Sequence, residues 1–251
     1  MKALEGLSAA CCNVPPIIAK DYDIKGTYET IGGTTTYVTG PLTASTAVLY
    51  IFDIFGFSNQ ALQGADILAT GNTHNHYQVF VPDFFAGTPA DITWYPPDDD
   101  RKEKALTEWW STRHPHTVVS KIPSLLEQFE LYNPNIKRWA VAGFCWGGKV
   151  VSLTTQSNTL FAAAASSSPA RMDPSDAAKI TVPICILSSE EESATEVKAF
   201  TDALVVEHYV EEFADQKHGW MTARGNLEDE TIRKAYQRGY QAMLDFLNEH
   251  L

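Results

Sequence analysis

Six consecutive residues, Gly143-Phe144-Cys145-Trp146-Gly147-Gly148, have the types and spacing of a nucleophile held on a sharp turn. They follow an apolar run, 139–144, and precede a helical stretch near 150–156, so the thiol of Cys145 falls where a buried strand gives way to a helix. The pattern is G-x-S-x-G with cysteine in place of serine. Gly143 and Gly147 leave room for backbone to pack beside the turn. The turn lifts the thiol above the sheet edge, and the next N–H, that of Trp146, points toward an oxyanion forming on an attacked carbonyl. The helix N-terminus favours thiolate over thiol.

A thiol of this kind needs a base. Lys217-His218-Gly219-Trp220 follows the last strand-like run, 208–213, where a loop can bring the imidazole of His218 over the turn. A carboxylate is then expected after the strand 184–187, and Glu190-Glu191-Glu192 stands there. One of these should orient the ring and stabilise imidazolium, and the others read as a solvated acidic loop. His74/His76 and His114/His116 have H-x-H spacing but no cysteine or acidic cluster beside them, so no metal site and no cofactor is expected.

Taken together, the elbow GFCWGG, the histidine in KHGW and the upstream Phe52-Asp53-Ile54-Phe55-Gly56 resemble the dienelactone hydrolase family of the α/β-hydrolase superfamily, from about Gly26 to the C-terminus. The resemblance implies a Cys–His–acid triad of Cys145, His218 and Glu192. Counting from Pro183 favours Glu192 over Glu191 as the acid, at a position where the family usually has Asp. It implies oxyanion donors at Ile54 and Trp146, and a carboxylate at Asp53, where the family commonly has a Glu that contacts the resting thiol.

The resemblance also implies an arginine for a substrate carboxylate after Pro82-Asp83-Phe84-Phe85-Ala86, but Gly87 stands there. Arg224, six residues after His218, is a loose match to a second such arginine. Phe55, Phe85, Trp94, Tyr95, Trp146 and Trp220 suggest an aromatic pocket. The expectation is cleavage of neutral or aromatic esters and lactones through an acyl-thioester. Two rivals are a binding protein that keeps the fold without turnover and a peroxide-sensing thiol protein.

The elements that must position these groups alternate. Residues 27–31 and 34–38 around Gly32-Gly33 read as a hairpin, and 47–52 as a strand buried on both faces. A helix at 60–69, a strand at 77–81, a long loop over 86–103 and a helix at 118–131 follow. After the elbow come a strand at 184–187, a helix at 197–205, the strand 208–213 and an amphipathic helix at 232–247. Alternation of this kind predicts an α/β fold: one domain over residues 1–251 with a mostly parallel central sheet and helices on both faces.

The chain has 251 residues, 44% of them apolar, enough for a sizeable core. A formal charge of −12 argues against nucleic-acid or anionic-membrane partners, which need basic patches. The apolar runs are strand-sized and the start of the chain lacks an apolar leader, so a reduced, cytoplasmic protein is expected. Cys11-Cys12 is poorly placed for a local disulfide. Oligomeric state is not legible.

Overall fold

The computed structural model describes residues 22–71 and 76–251; Cys11, Cys12 and His74 lie outside them. Among the described residues eight strands form one sheet: β1 (Thr27–Ile31), β2 (Thr34–Thr39), β3 (Thr46–Ile51), β4 (Gln78–Pro82), β5 (Arg138–Phe144), β6 (Phe161–Ser167), β7 (Ile184–Ser189) and β8 (His208–Phe213). Their order is β1-β2-β4-β3-β5-β6-β7-β8. The hairpin strand β2 runs antiparallel to β1 and β4, and every later neighbour pair is parallel. Parallel strands need crossovers, so both faces are covered and β3 and β5 are apolar almost throughout.

The helices longer than one turn are α1 (Asn59–Ala69), α2 (Asp100–Thr112), α4 (Ile122–Tyr132), α5 (Trp146–Thr154), α7 (Ala194–Ala203) and α8 (Glu230–His250). Two short helices are α3 (His116–Val119) and α6 (Pro174–Ala177). Pleat alternation assigns the faces. A side chain at Gly143 would run into Gly147 and Val151 of α5, whereas its neighbour Phe144 packs on Tyr240 of α8 at 5.8 Å. Thus α5 covers one face and α8 the other. No helix among the described residues is long and apolar enough to cross a membrane.

The helix expected at 118–131 is instead two, α3 and α4, parted at residues 120–121, and two further elements differ from expectation. Residues 86–103 are not one loop: α2 begins at Asp100, and the acidic run 98–100 is its N-terminal cap, Asp99 accepting from the Lys102 N–H at 2.8 Å. Second, β6 is absent from the sequence reading, because Phe161-Ala-Ala-Ala-Ala-Ser-Ser167 is composed largely of the strongest helix former. Its place between β5 and β7, with α5 on one face and α8 on the other, decides otherwise. Small side chains let both helices close in; Gly148 of α5 sits directly against Ser166.

Candidate active site

The register places the site. Ile51 of β3 pairs with Gly143 of β5, so two residues beyond the pair Asp53 and Cys145 leave adjacent strand ends together. Cys145 takes φ 52° and ψ −110°, a region that L-residues rarely enter, and the helix α5 starts at the next residue. The expected helix start near 150 was therefore late: Gly147 and Gly148 lie within its first turn, because close packing rather than propensity governs there. The strained turn is held from both sides. Cys145 donates its N–H to the Ser167 carbonyl at 3.1 Å, and its own carbonyl accepts from Ala170 N–H at 2.9 Å and from Lys149 N–H at 3.3 Å.

An added Cβ at Gly147 would strike the Ile51 and Phe52 carbonyl oxygens, which are backbone and cannot move aside. Gly147→Ala is expected to destabilise the protein by about 1–3 kcal/mol. A urea unfolding midpoint unchanged from wild type would contradict this account of the turn.

His218 lies in the turn after β8 and is fully buried. Its ring Nδ1 is 2.6 Å from Oε1 of Glu192, whose side chain is only 6% exposed. The other Glu192 oxygen accepts from the Ser189 N–H. Glu191 instead accepts the backbone N–H of His218 at 2.8 Å. Glu190 and Asp215 are exposed. The two loops are tied by the Glu190 N–H, which donates to the Gln216 carbonyl at 3.0 Å. The acidic run is thus divided: one carboxylate on the imidazole, one on its backbone, one in water.

The strand end of β3 is built around Asp53. Its Oδ1 accepts from Phe55 N–H at 2.8 Å and its carbonyl accepts from Gly56 N–H at 3.2 Å, which fixes the peptide whose N–H belongs to Ile54. Ile54's own carbonyl accepts from Ala90 N–H at 2.9 Å. The N–H of Trp146, at the first helical position, has no acceptor within its helix by the geometry of α-helices. Burial pushes the Asp53 carboxyl above the usual carboxylate range, opposed by the Thr222 hydroxyl, the Arg224 charge and the backbone N–H groups of Phe55 and Ala223.

The aromatic candidates separate into groups. Phe55 and Tyr95 meet edge to face at 5.1 Å, and the Arg224 guanidinium lies 5.1 Å from the first ring and 5.6 Å from the second. Phe85 packs on Trp146 at 4.9 Å and on Trp109 at 5.0 Å. The Trp146 indole donates to the Arg113 carbonyl at 2.7 Å. Trp94, on a single 3-10 turn, is half-buried. Trp220 has a packing role: its ring meets that of Phe213 at 4.5 Å, tilted by 33°, and fills the space over Gly239 of α8. The sequence reading missed Thr222, whose hydroxyl donates to Asp53 at 2.7 Å, and Tyr240, whose hydroxyl donates to the Met221 carbonyl at 3.0 Å. Only closeness in sequence to His218 could have flagged Thr222; nothing local could flag Tyr240. The His114 and His116 rings stack at 5.1 Å, and among the described residues no group of three or more His, Cys, Asp or Glu is arranged to hold a metal.

Comparison with known proteins agrees with this architecture. The sequence profile of the Dienelactone hydrolase family matches residues 34–251. An uncharacterized AIM2 family protein of Schizosaccharomyces pombe is 34% identical over 249 residues, covering 95% of this chain and 98% of its own length. The human carboxymethylenebutenolidase homolog is 25% identical over 223 residues, covering 86% and 87%. In three dimensions, a dienelactone hydrolase from Anabaena variabilis superposes with a TM-score of 0.56 at 13% identity, over 89% of this chain and 98% of its own. The Pyrococcus horikoshii acylaminoacyl peptidase gives 0.59 at 12% identity, over 93% and 42%. At these identities the two structures speak for the fold alone, an α/β-hydrolase fold. With a profile match that spans most of its length, the chain belongs to the dienelactone hydrolase family.

Proposed function

We propose that the protein hydrolyses ester or lactone bonds through Cys145, with His218 as base and Glu192 as the residue that orients and charges-balances the imidazole. The observation that carries this is the 2.6 Å contact between His218 Nδ1 and Glu192, on a histidine loop set beyond the same sheet edge as the strained Cys145 turn. A carboxylate on Nδ1 leaves Nε2 for proton transfer. The Cys145 proton passes to Nε2 and the sulfur bonds to the acyl carbon. The carbonyl electrons move onto oxygen, toward the N–H groups of Ile54 and Trp146. Collapse expels the alkoxide, which takes the proton from His218 and leaves a thioester. Water, deprotonated by His218, then attacks the thioester and releases the acid and the thiol. No step calls for a metal or cofactor. A thiol used in this way stays reduced in the cytoplasm, where this reading places the enzyme.

For substrate, the reading favours neutral or aromatic acyl groups. Phe55 and Tyr95 supply apolar area, and the buried Arg224 already has the Asp53 charge beside it. A substrate carboxylate would therefore meet a compensated cation, and desolvating it is costly. The net acidic surface also disfavours approach of an anion. The test has two parts. Intact mass after mixing with activated 4-nitrophenyl esters should show an acyl adduct on Cys145; neither adduct nor turnover across a panel of esters, thioesters and lactones defeats the hydrolase reading and leaves a binding protein. One acyl framework with and without a carboxylate should then show higher kcat/KM for the neutral form. A preference for the charged form that disappears in Arg224→Ala would show Arg224 to be a carboxylate receptor and reverse the substrate assignment.

A further inference from the structure

Asp53 is fully buried and both its carboxylate oxygens are engaged. Oδ1 accepts from Phe55 N–H at 2.8 Å, within its own strand end. Oδ2 crosses to the segment after the histidine, accepting from the Thr222 hydroxyl at 2.7 Å and the Ala223 N–H at 3.2 Å. That segment is a compact turn. The Gly219 carbonyl accepts from Thr222 N–H at 3.0 Å and Arg224 N–H at 3.3 Å, and Gly225 N–H donates to the Thr222 carbonyl at 2.9 Å. Its other moorings reach helices: the Gln60 amide of α1 donates to the Gly225 carbonyl at 3.0 Å, and the Tyr240 hydroxyl of α8 donates to the Met221 carbonyl.

We propose that Asp53 and Thr222 are a positioning pair: one buried carboxylate clamps the turn that carries His218 and Arg224 to the strand end that aims the Ile54 N–H, and so sets base and oxyanion donor relative to each other. Three reasons single out this link. It joins the two strand-end segments that must agree in geometry, whereas Gln60 and Tyr240 tie the turn to helices. It is charge-assisted and excluded from water, hence stronger than the neutral moorings. And Asp53 holds Phe55 N–H and Thr222 with opposite oxygens of one rigid, planar group, so displacement on one side is felt on the other. The clamp differs in kind from a carboxylate that acts on the thiol itself, and the two make opposite predictions.

The inference rests on the thiol mechanism proposed above. The experiment measures kcat and KM on a neutral ester, the pH dependence of Cys145 alkylation by iodoacetamide without substrate, and thermal unfolding. The variants are Thr222→Val, Thr222→Ser, Asp53→Asn, the Asp53→Asn/Thr222→Val double variant, and Cys145→Ala as control. A base misplaced by an ångström or less costs about ten- to a hundredfold in rate. Thr222→Val and Asp53→Asn should each lower kcat by that much, with little change in KM, and Thr222→Ser should restore it. The double variant should be no worse than Asp53→Asn alone, because both break one link. In both single variants the alkylation midpoint should move to higher pH, since a displaced His218 no longer favours thiolate. Were Asp53 acting on the thiol, removing its negative charge would move the midpoint to lower pH in Asp53→Asn and leave Thr222→Val at wild type; that result overturns the clamp. Wild-type kcat in Thr222→Val, with turnover lost in Cys145→Ala, overturns the clamp alone. Turnover that survives Cys145→Ala overturns the mechanism and the clamp together. If Asp53→Asn does not fold, the Thr222→Val and Thr222→Ser pair decides.

Discussion

Cys145→Ala is expected to lower ester turnover by about 10⁴-fold or more, leaving at most what oxyanion donors and binding supply. The reason is placement. The Cys145 thiol stands on the strained φ 52° turn at the end of β5, beside the strand end that carries the Ile54 N–H. The other described cysteine, Cys185, lies within β7, and burial pushes its thiol up to about 12. Cys185 sits inside a strand rather than on a turn at a strand end, so a small alkylating reagent should modify Cys145 before it. Peptide mapping after brief iodoacetamide treatment reports the order of labelling. Cys145→Ser is expected to lose most activity too, because serine's higher pKa suits poorly a site built to activate a thiol. Undiminished turnover in Cys145→Ala would falsify the assignment of the nucleophile.

Glu192→Gln is expected to lower kcat by about 10³–10⁴-fold while leaving the unfolding midpoint close to wild type. The amide keeps the shape but removes the negative charge that balances an imidazolium, and its nitrogen side cannot accept from Nδ1. The contrast variant is Glu191→Gln. Glu191 holds the backbone N–H of His218 rather than its ring, and its amide oxygen can still accept that bond, so the loss there should be roughly tenfold or less. Steady-state kinetics on both variants, with circular dichroism melts alongside, measures the difference. Equal losses in the two variants would mean that the division of labour between Glu191 and Glu192 seen in the structure does not carry into catalysis.

How far the sequence alone reached depends on how local each feature is. The turn around Cys145 was legible because its glycines are demanded by atoms a few residues away or one strand over, and such demands leave a fixed spacing. Strands β3, β5 and β7 were legible because burial on both faces writes an unbroken apolar run. The position of His218 followed from chain order, since it had to come after the last strand. The acidic run 190–192 marked where a carboxylate would lie, and counting from Pro183 favoured Glu192, but only the folded turn shows which oxygen meets the ring.

Tertiary structure decided the rest, for one physical reason: the deciding contacts join residues far apart in the chain. β6 is a strand because two helices press on it from opposite faces, which overrides the helix preference of its alanines. Trp220 looks like pocket lining beside His218 in sequence, yet α8 carries Gly239 there to receive its ring. From the sequence Arg224 is only a loose match to a carboxylate-binding arginine, and in the fold it is buried over Phe55 and Tyr95. Asp53 and Thr222 lie 169 residues apart, so no window along the chain could reveal that they share a hydrogen bond. The sequence by itself marked which residues could carry chemistry and at which strand ends they stand; the packing of α1, α5 and α8 on the sheet decided which neighbours hold those residues in place.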